Sequence, residues 1–144
     1  MDLKKFAVNP TGRLHLRDAN DALMYVEGEN GEPDESRPIA VNLFGPGSKQ
    51  HAKATTAQSN RFINKLRRKG NSDQSTAERL REQAEFLADC TDSWENVEEV
   101  DGQSLTGRDL SMAIYTATDI GFIADQVATY LKEWGNFTKP STTN

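Results

Sequence analysis

The chain has 144 residues and a mass of 16.0 kDa, the size of one ordinary domain, and its mean hydropathy of -0.73 with 27% charged residues gives a polar surface without reaching the composition of a disordered chain. No apolar run approaches the roughly 18 residues of a membrane span, and Met1 to Pro10 lacks the apolar stretch of a signal peptide, so the protein is expected to stay where it is made. The net charge of -5 conceals an asymmetry: Lys49 to Lys69 holds seven bases and no acid, whereas Glu82 to Asp101 holds eight acids and no base, so the two segments suit each other or complementary partners.

Four short strands are predicted in the first 45 residues, over Phe6 to Val8, Arg13 to Arg17, Leu23 to Val26 and Ile39 to Phe44, with turns at Asn9 to Gly12 and at Asn30-Gly31. Leu14 and Leu16 alternate with Arg13, His15 and Arg17, and Ile39, Val41 and Leu43 alternate with Ala40 and Asn42. That is the period of an antiparallel sheet with one buried face. Glu27 to Arg37 is acidic, contains Gly and Pro and has no large apolar group, which predicts an exposed, mobile loop.

Gly45 to Ser48 ends the strand region, and Ser48 is a good N-cap for a helix running to about Lys69, where Gly70-Asn71 stops it. A second helix opens on Ser75 and Glu78, spaced as a capping box, and runs to about Asp92 with Leu80, Ala84, Leu87 and Ala88 on its apolar stripe. Val97 to Leu105 reads as an acidic loop around Asp101-Gly102. A third helix starts near Thr106 and Asp109 and uses Leu110, Ala113, Ile114 and Ala117. The fourth, behind an Asp119 cap, repeats Ile120, Ile123, Val127, Tyr130, Leu131 and Trp134 at three- and four-residue spacing until Gly135, with Ile123 and Trp134 placed in the core. The chain is thus predicted to be α+β, with a small N-terminal antiparallel strand region (1–45), a helical region of about four α-helices (46–137) and a flexible polar tail (138–144), forming one compact domain.

Chemistry is sparse in this pattern. His15 and His51, the two histidines, lie in different elements, and a nucleophile, base and carboxylate constellation does not assemble from them; no catalytic residue is assigned. His15, His51 and Cys90 have none of the short spacings of a metal site. With a single cysteine there is no internal disulfide, and Cys90 reads as a small packed residue in a reducing compartment, so no metal or cofactor is expected. The turn Gly45 to Lys49 is shaped like an anion nest at a helix start but lacks the glycine spacing and the Lys-Ser/Thr pair of a P-loop. The basic helix has the charge to meet phosphates but only Phe62 to stack on a base, so nucleic acid is disfavoured and a protein-facing or internally paired helix is preferred. The candidate partner-binding residues are Lys53, Arg61, Lys65, Arg67, Arg68, Trp94 and Tyr130, although Trp94, like Trp134, also fits a core position.

Taken in order, the segments Leu23 to Glu32, Ile39 to Lys49 leading into a basic helix with Arg61, Glu85 to Trp94, and Ile123 to Val127 resemble the tail assembly chaperones of long-tailed bacteriophages, with Val100 to Gln103 matching an acidic Gly loop in similar proteins. The resemblance spans most of the chain and rests on order and spacing. It implies a non-enzymatic protein of the host cell cytoplasm that holds the tape measure protein, helps recruit tail tube subunits and is absent from the mature virion. It also implies possible self-association and no membrane partner. Similar proteins are often made in two lengths by ribosomal slippage near the end of the short form. The alternatives are a structural virion protein of the tail or neck, such as a tail terminator or connector, and a nucleic-acid-binding regulator.

Overall fold

The computed structural model describes residues 1–70 and 74–138. Its architecture is α+β, with small antiparallel sheets and four α-helices. Strands β1 (Thr11–His15), β2 (Tyr25–Glu27), β3 (Pro33–Pro38) and β4 (Ala40–Phe44) precede helices α1 (Lys49–Lys69) and α2 (Thr76–Asp89). Strands β5 (Thr91–Glu95), β6 (Glu99–Val100) and β7 (Gln103–Ser104) follow, then α3 (Gly107–Thr116) and α4 (Gly121–Lys132).

The main sheet has the order β1-β4-β5, antiparallel throughout. Its centre is β4, whose Val41 and Leu43 are fully buried in the same core as Leu87, Ile114, Ile123, Val127 and Leu131 from the helices. The alternation in the sequence identifies the buried face for Val41 and Leu43, although Ala40, expected opposite them, is also fully buried and Ile39 is only half-buried. On the opposite face Arg13, Asn42 and Ser93 share one cross-strand row. There Arg13 Nε donates to Glu95 Oε2 at 2.7 Å, and Asn42 Nδ2 lies 3.1 Å from both Glu95 Oε2 and Ser93 Oγ.

Several expectations are corrected. Leu3–Phe6 is a 3-10 turn capped by the Asp2 carboxylate, which accepts from Lys4 N at 2.9 Å, so the strand expected over Phe6 to Val8 is absent. The segment Glu27 to Arg37 is largely exposed as expected, but it is half of a hairpin: β3 pairs with β2, and the turn closes through Gly28 N to Glu32 O at 2.7 Å with Gly31 at φ +79. A φ of that sign is open to Gly at no steric cost, which is why a loop-like composition can still close a hairpin. Within the expected acidic loop, β6 and β7 form a second small hairpin around Asp101-Gly102, both at positive φ.

The expected second helix stops three residues early. Cys90 caps α2, and Thr91 leads into β5, which adds an edge to the N-terminal sheet. A boundary at residue 45 therefore marks a change of element type, since regions 1–45 and 46–137 share one sheet and one core. The tie is specific. Thr91 Oγ1 donates to Leu87 O at 2.8 Å, which leaves its lone pairs to accept from the buried Tyr115 hydroxyl at 2.7 Å, joining α2, β5 and α3.

Helix starts follow the sequence only in part. Ser48 caps α1 by accepting from His51 N at 3.1 Å, and Gly70 ends it at φ +74, the left-handed position a C-terminal glycine supplies. Ser75 accepts from Glu78 N at 3.2 Å, but the Glu78 carboxylate turns to Lys69 and Lys65 instead of completing a capping box. Thr106 holds the N-cap position of α3 without a side-chain bond, and Asp119 sits in a 3-10 turn, Thr118–Ile120, ahead of α4.

The end of the chain differs most from expectation. Helix α4 stops at Lys132 and Glu133 is extended, so the three- and four-residue period is lost before Trp134. Trp134 is 57% exposed, and Phe137, three residues on in a 3-10 turn, takes the buried place instead. Its ring stands edge-on to Tyr130 at 5.2 Å, and its carbonyl accepts from Asn9 N at 2.7 Å. The flexible tail expected from 138 onward falls, apart from Thr138, outside the described residues.

Candidate partner-binding site

Helix α1 is 21 residues long yet buries only Ala54. Its stretch of bases explains how so exposed a helix stays attached. Arg61, Lys65 and Lys69 recur every four residues and so share one face, while Glu78, Glu82, Glu85 and Asp89 recur at four, three and four on α2. The helices meet with these rows opposed. Lys69 Nζ is 3.1 Å from Glu78, Lys65 Nζ is 2.5 Å from Glu82 and 3.3 Å from Glu78, and Arg61 reaches Glu85 at 3.0 Å and Asp89 at 3.8 Å. The Arg61 Nε and Glu82 Oε1 atoms approach their partners without hydrogen-bond alignment, so these two contacts act as coulombic attraction. Arg108 joins Asp89 from α3.

The ladder leaves its mark on the carboxyl groups. Hydrogen bonds from Lys69 and then Lys65 hold the Glu78 carboxyl below its ordinary pKa. Burial pushes Glu82 upward, but Lys65 and the Gln74 amide, 2.7 Å from its other oxygen, together bring it below the ordinary value. Both groups are thus held as carboxylates, and the attraction expected between the basic and acidic segments is realised inside the molecule.

The seven sequence-predicted residues are not brought to one surface. Lys53, Arg67 and Arg68 are exposed on α1 and make no ion pair among the described residues, whereas Arg61 and Lys65 are engaged with α2. Trp94, on β5, packs against α3, its indole N–H donating to Ser111 Oγ at 2.9 Å and its ring 5.5 Å from Tyr115. Tyr130 hydrogen-bonds the carbonyls of Arg13 and Asn136 at 3.1 and 3.2 Å and supports Phe137. Both aromatics serve the fold.

Sequence reasoning missed the apolar half of the surface. Phe62, Ile63 and Leu66 on α1 are 47%, 43% and 37% exposed, although their spacing is that of a helical stripe. Beside them an open groove of about 620 Å³ runs between α1, α2 and α4, floored by Pro46, Phe86, Leu87, Ala128 and Leu131. His51 stands edge-on to Phe86 at 5.7 Å, and burial lowers its pKa, so the imidazole meets an incoming group as a neutral ring. A second hollow, walled by Phe62 and Ile63, adjoins the groove through Gln58, Gln74, Arg79 and Glu82, which line both. The sequence signal was the pair Phe62-Ile63 followed by Leu66 in an otherwise polar helix, a stripe too short to stand out.

The arrangement offers apolar residues flanked by polar ones, the chemistry that the apolar face of an amphipathic helix meets in a groove. Among the described residues no helix is long and apolar enough to cross a membrane, and no group of three or more His, Cys, Asp and Glu is placed to hold a metal. Compared with known proteins, the chain matches no family model, no curated sequence and no solved structure.

Proposed function

We propose that this protein works by binding a helical segment of another protein, and that it is a bacteriophage tail assembly chaperone which holds the tape measure protein and helps recruit tail tube subunits. The observation that carries the reading is the apolar-floored groove of α1, α2 and α4 beside the exposed Phe62, Ile63 and Leu66. The order and spacing of sequence segments supply the particular partners. A tape measure protein is a long helical chain whose apolar stripes aggregate until the tube encloses them, and a groove that covers such a stripe reversibly meets that need without a chemical step. Phe62, Ile63 and Leu66 stand outside the core, unlike Trp94 and Tyr130, whose polar atoms are bonded within the fold. On this reading the protein acts in the host cytoplasm and leaves before the virion is complete. Three of the seven bases of α1 are engaged with α2, which weakens the nucleic-acid alternative by removing phosphate contacts.

Co-expression with the tape measure protein tests the proposal. The expected result is a soluble complex that Phe62→Ser with Ile63→Ser abolishes, and absence of the chain from purified particles by mass spectrometry. A tape measure protein that stays insoluble beside abundant chaperone refutes the reading, and stoichiometric copies in virions make the protein a structural component.

A further inference from the structure

The charges around the groove are not those of the molecule as a whole. The chain carries a net charge of -5, yet among the described residues the one acid lining the groove and its adjoining hollow is Glu82, and that carboxylate is engaged by Lys65 and Gln74. Arg79 and Lys132 stand on the same lining, both exposed and without an ion pair among the described residues. On α1, Arg67 follows Leu66 and is exposed, whereas Arg68 lines the hollow of the charge ladder. An apolar floor with cations at its edges is therefore set into an acidic protein.

At physiological salt, charges farther apart than about 8 Å are largely screened, so an approaching segment responds to this edge and not to the net charge. We infer that the groove selects an amphipathic helix whose apolar stripe is flanked by Asp and Glu. The proposal rests on the helix-binding reading above and adds the chemistry of the partner. A carboxylate beside the stripe meets Arg79 or Lys132 at the rim, whereas a lysine in the same place meets like charge. Arg79 is the more selective of the two, because a guanidinium can grip a carboxylate through paired hydrogen bonds.

The test uses two synthetic helical peptides with the same Leu and Ile stripe at i, i+3, i+4 and i+7, one flanked by Glu and its twin by Lys, each titrated with the full chain by fluorescence anisotropy. The Glu peptide is expected to bind about tenfold more tightly than its twin, the sum of two or three rim pairs, with the margin closing at high salt. The double variant Arg79→Glu, Lys132→Glu reverses the order while leaving the circular dichroism spectrum and melting temperature near wild type, since both residues are exposed. Equal affinity of the twins, or tighter binding of the Lys peptide, overturns the charge selection and leaves helix binding intact. Failure of both peptides to bind overturns the proposal together with the groove as the site of the reading above. Loss of peptide binding as the chain self-associates on sedimentation gives the groove to a second copy and likewise overturns it.

Discussion

Removing the Phe137 ring gives the most direct test of how the fold closes. The ring is 1% exposed, stands against Tyr130 and fills the space over two glycines. A Cβ placed on Gly12 would lie 2.9 Å from the ring carbons Cδ1 and Cε1, and one on Gly45 would lie 2.6 Å from Cγ, both too close for real contacts. Truncation to Ala leaves a cavity and costs about 3 to 5 kcal/mol, a large share of the roughly 5 to 15 kcal/mol that holds a domain together. In a chain of 144 residues this lowers Tm by on the order of 10 °C. Urea titration followed by far-UV circular dichroism measures it, and a loss under about 1 kcal/mol refutes the placement of Phe137 in the core. The glycines supply a second check. Gly45→Ala is destabilising in the wild type because its methyl meets the ring, but nearly neutral in Phe137→Ala, where that space is empty. The double-mutant cycle should return about 1 to 3 kcal/mol of coupling, and additive costs would place the ring elsewhere.

Trp134→Ala should change stability by no more than about 1 kcal/mol, as for other exposed positions, in contrast to Phe137→Ala; the same urea titration decides. Cys90 is fully buried and burial pushes its thiol up to about 12, so a thiol reagent should label it only after denaturation. Because the unfolded thiol ionises from its ordinary value of 9.0 while the folded one stays protonated, stability present below that pH is lost as pH rises toward about 12, a slope that Cys90→Ala removes. The carboxyls of Glu78, Glu82 and Glu95 are all lowered on folding, so the stability they bring is present above the ordinary carboxylate pKa of 4.5 and is lost as pH falls through their depressed values. Lys65→Met should flatten that acid limb of the pH-stability curve, and high salt should do the same; a limb unchanged by both would remove the ladder as its source.

The elements whose burial follows a single period were legible in the sequence. Val41 and Leu43, and Ile123, Val127 and Leu131, sit where alternation and helical spacing put them. Two kinds of feature were not. Strand β5 reads Thr-Asp-Ser-Trp-Glu, with one large apolar residue and an Asp, and it is strand because β4 offers an unpaired edge beside it, a tertiary cause that local propensity does not carry. The exchange of Trp134 for Phe137 arises where α4 gives way to a 3-10 turn, a shift that moves the buried register by three residues and that no motif announces. The site was half legible. Charge spacing located the basic helix and its acidic counterpart, but only their packing separates Arg61, Lys65 and Lys69, which are bound to α2, from Lys53, Arg67 and Arg68, which are not.

The way α1 is attached bears on the proposed role. Had the helix docked by apolar burial, Phe62, Ile63 and Leu66 would be inside, and nothing would remain for a partner. The ladder holds α1 through its charged face and turns the apolar stripe outward. Full burial of such side chains is worth about 1.5 to 3 kcal/mol each, and with roughly two-fifths of each still exposed, about 2 to 4 kcal/mol in total is left for a partner to claim. Rim ion pairs add about 0.2 to 1 kcal/mol each. Even together with the groove floor, these terms stand against an association cost of several kcal/mol, so binding by one helix stays weak and quickly reversible. The proposed role, in which a client is handed to an assembling tube, would need that limit: tight capture of each helix would compete with the tube, whereas many weak contacts along a long client would keep it covered and still release it one segment at a time.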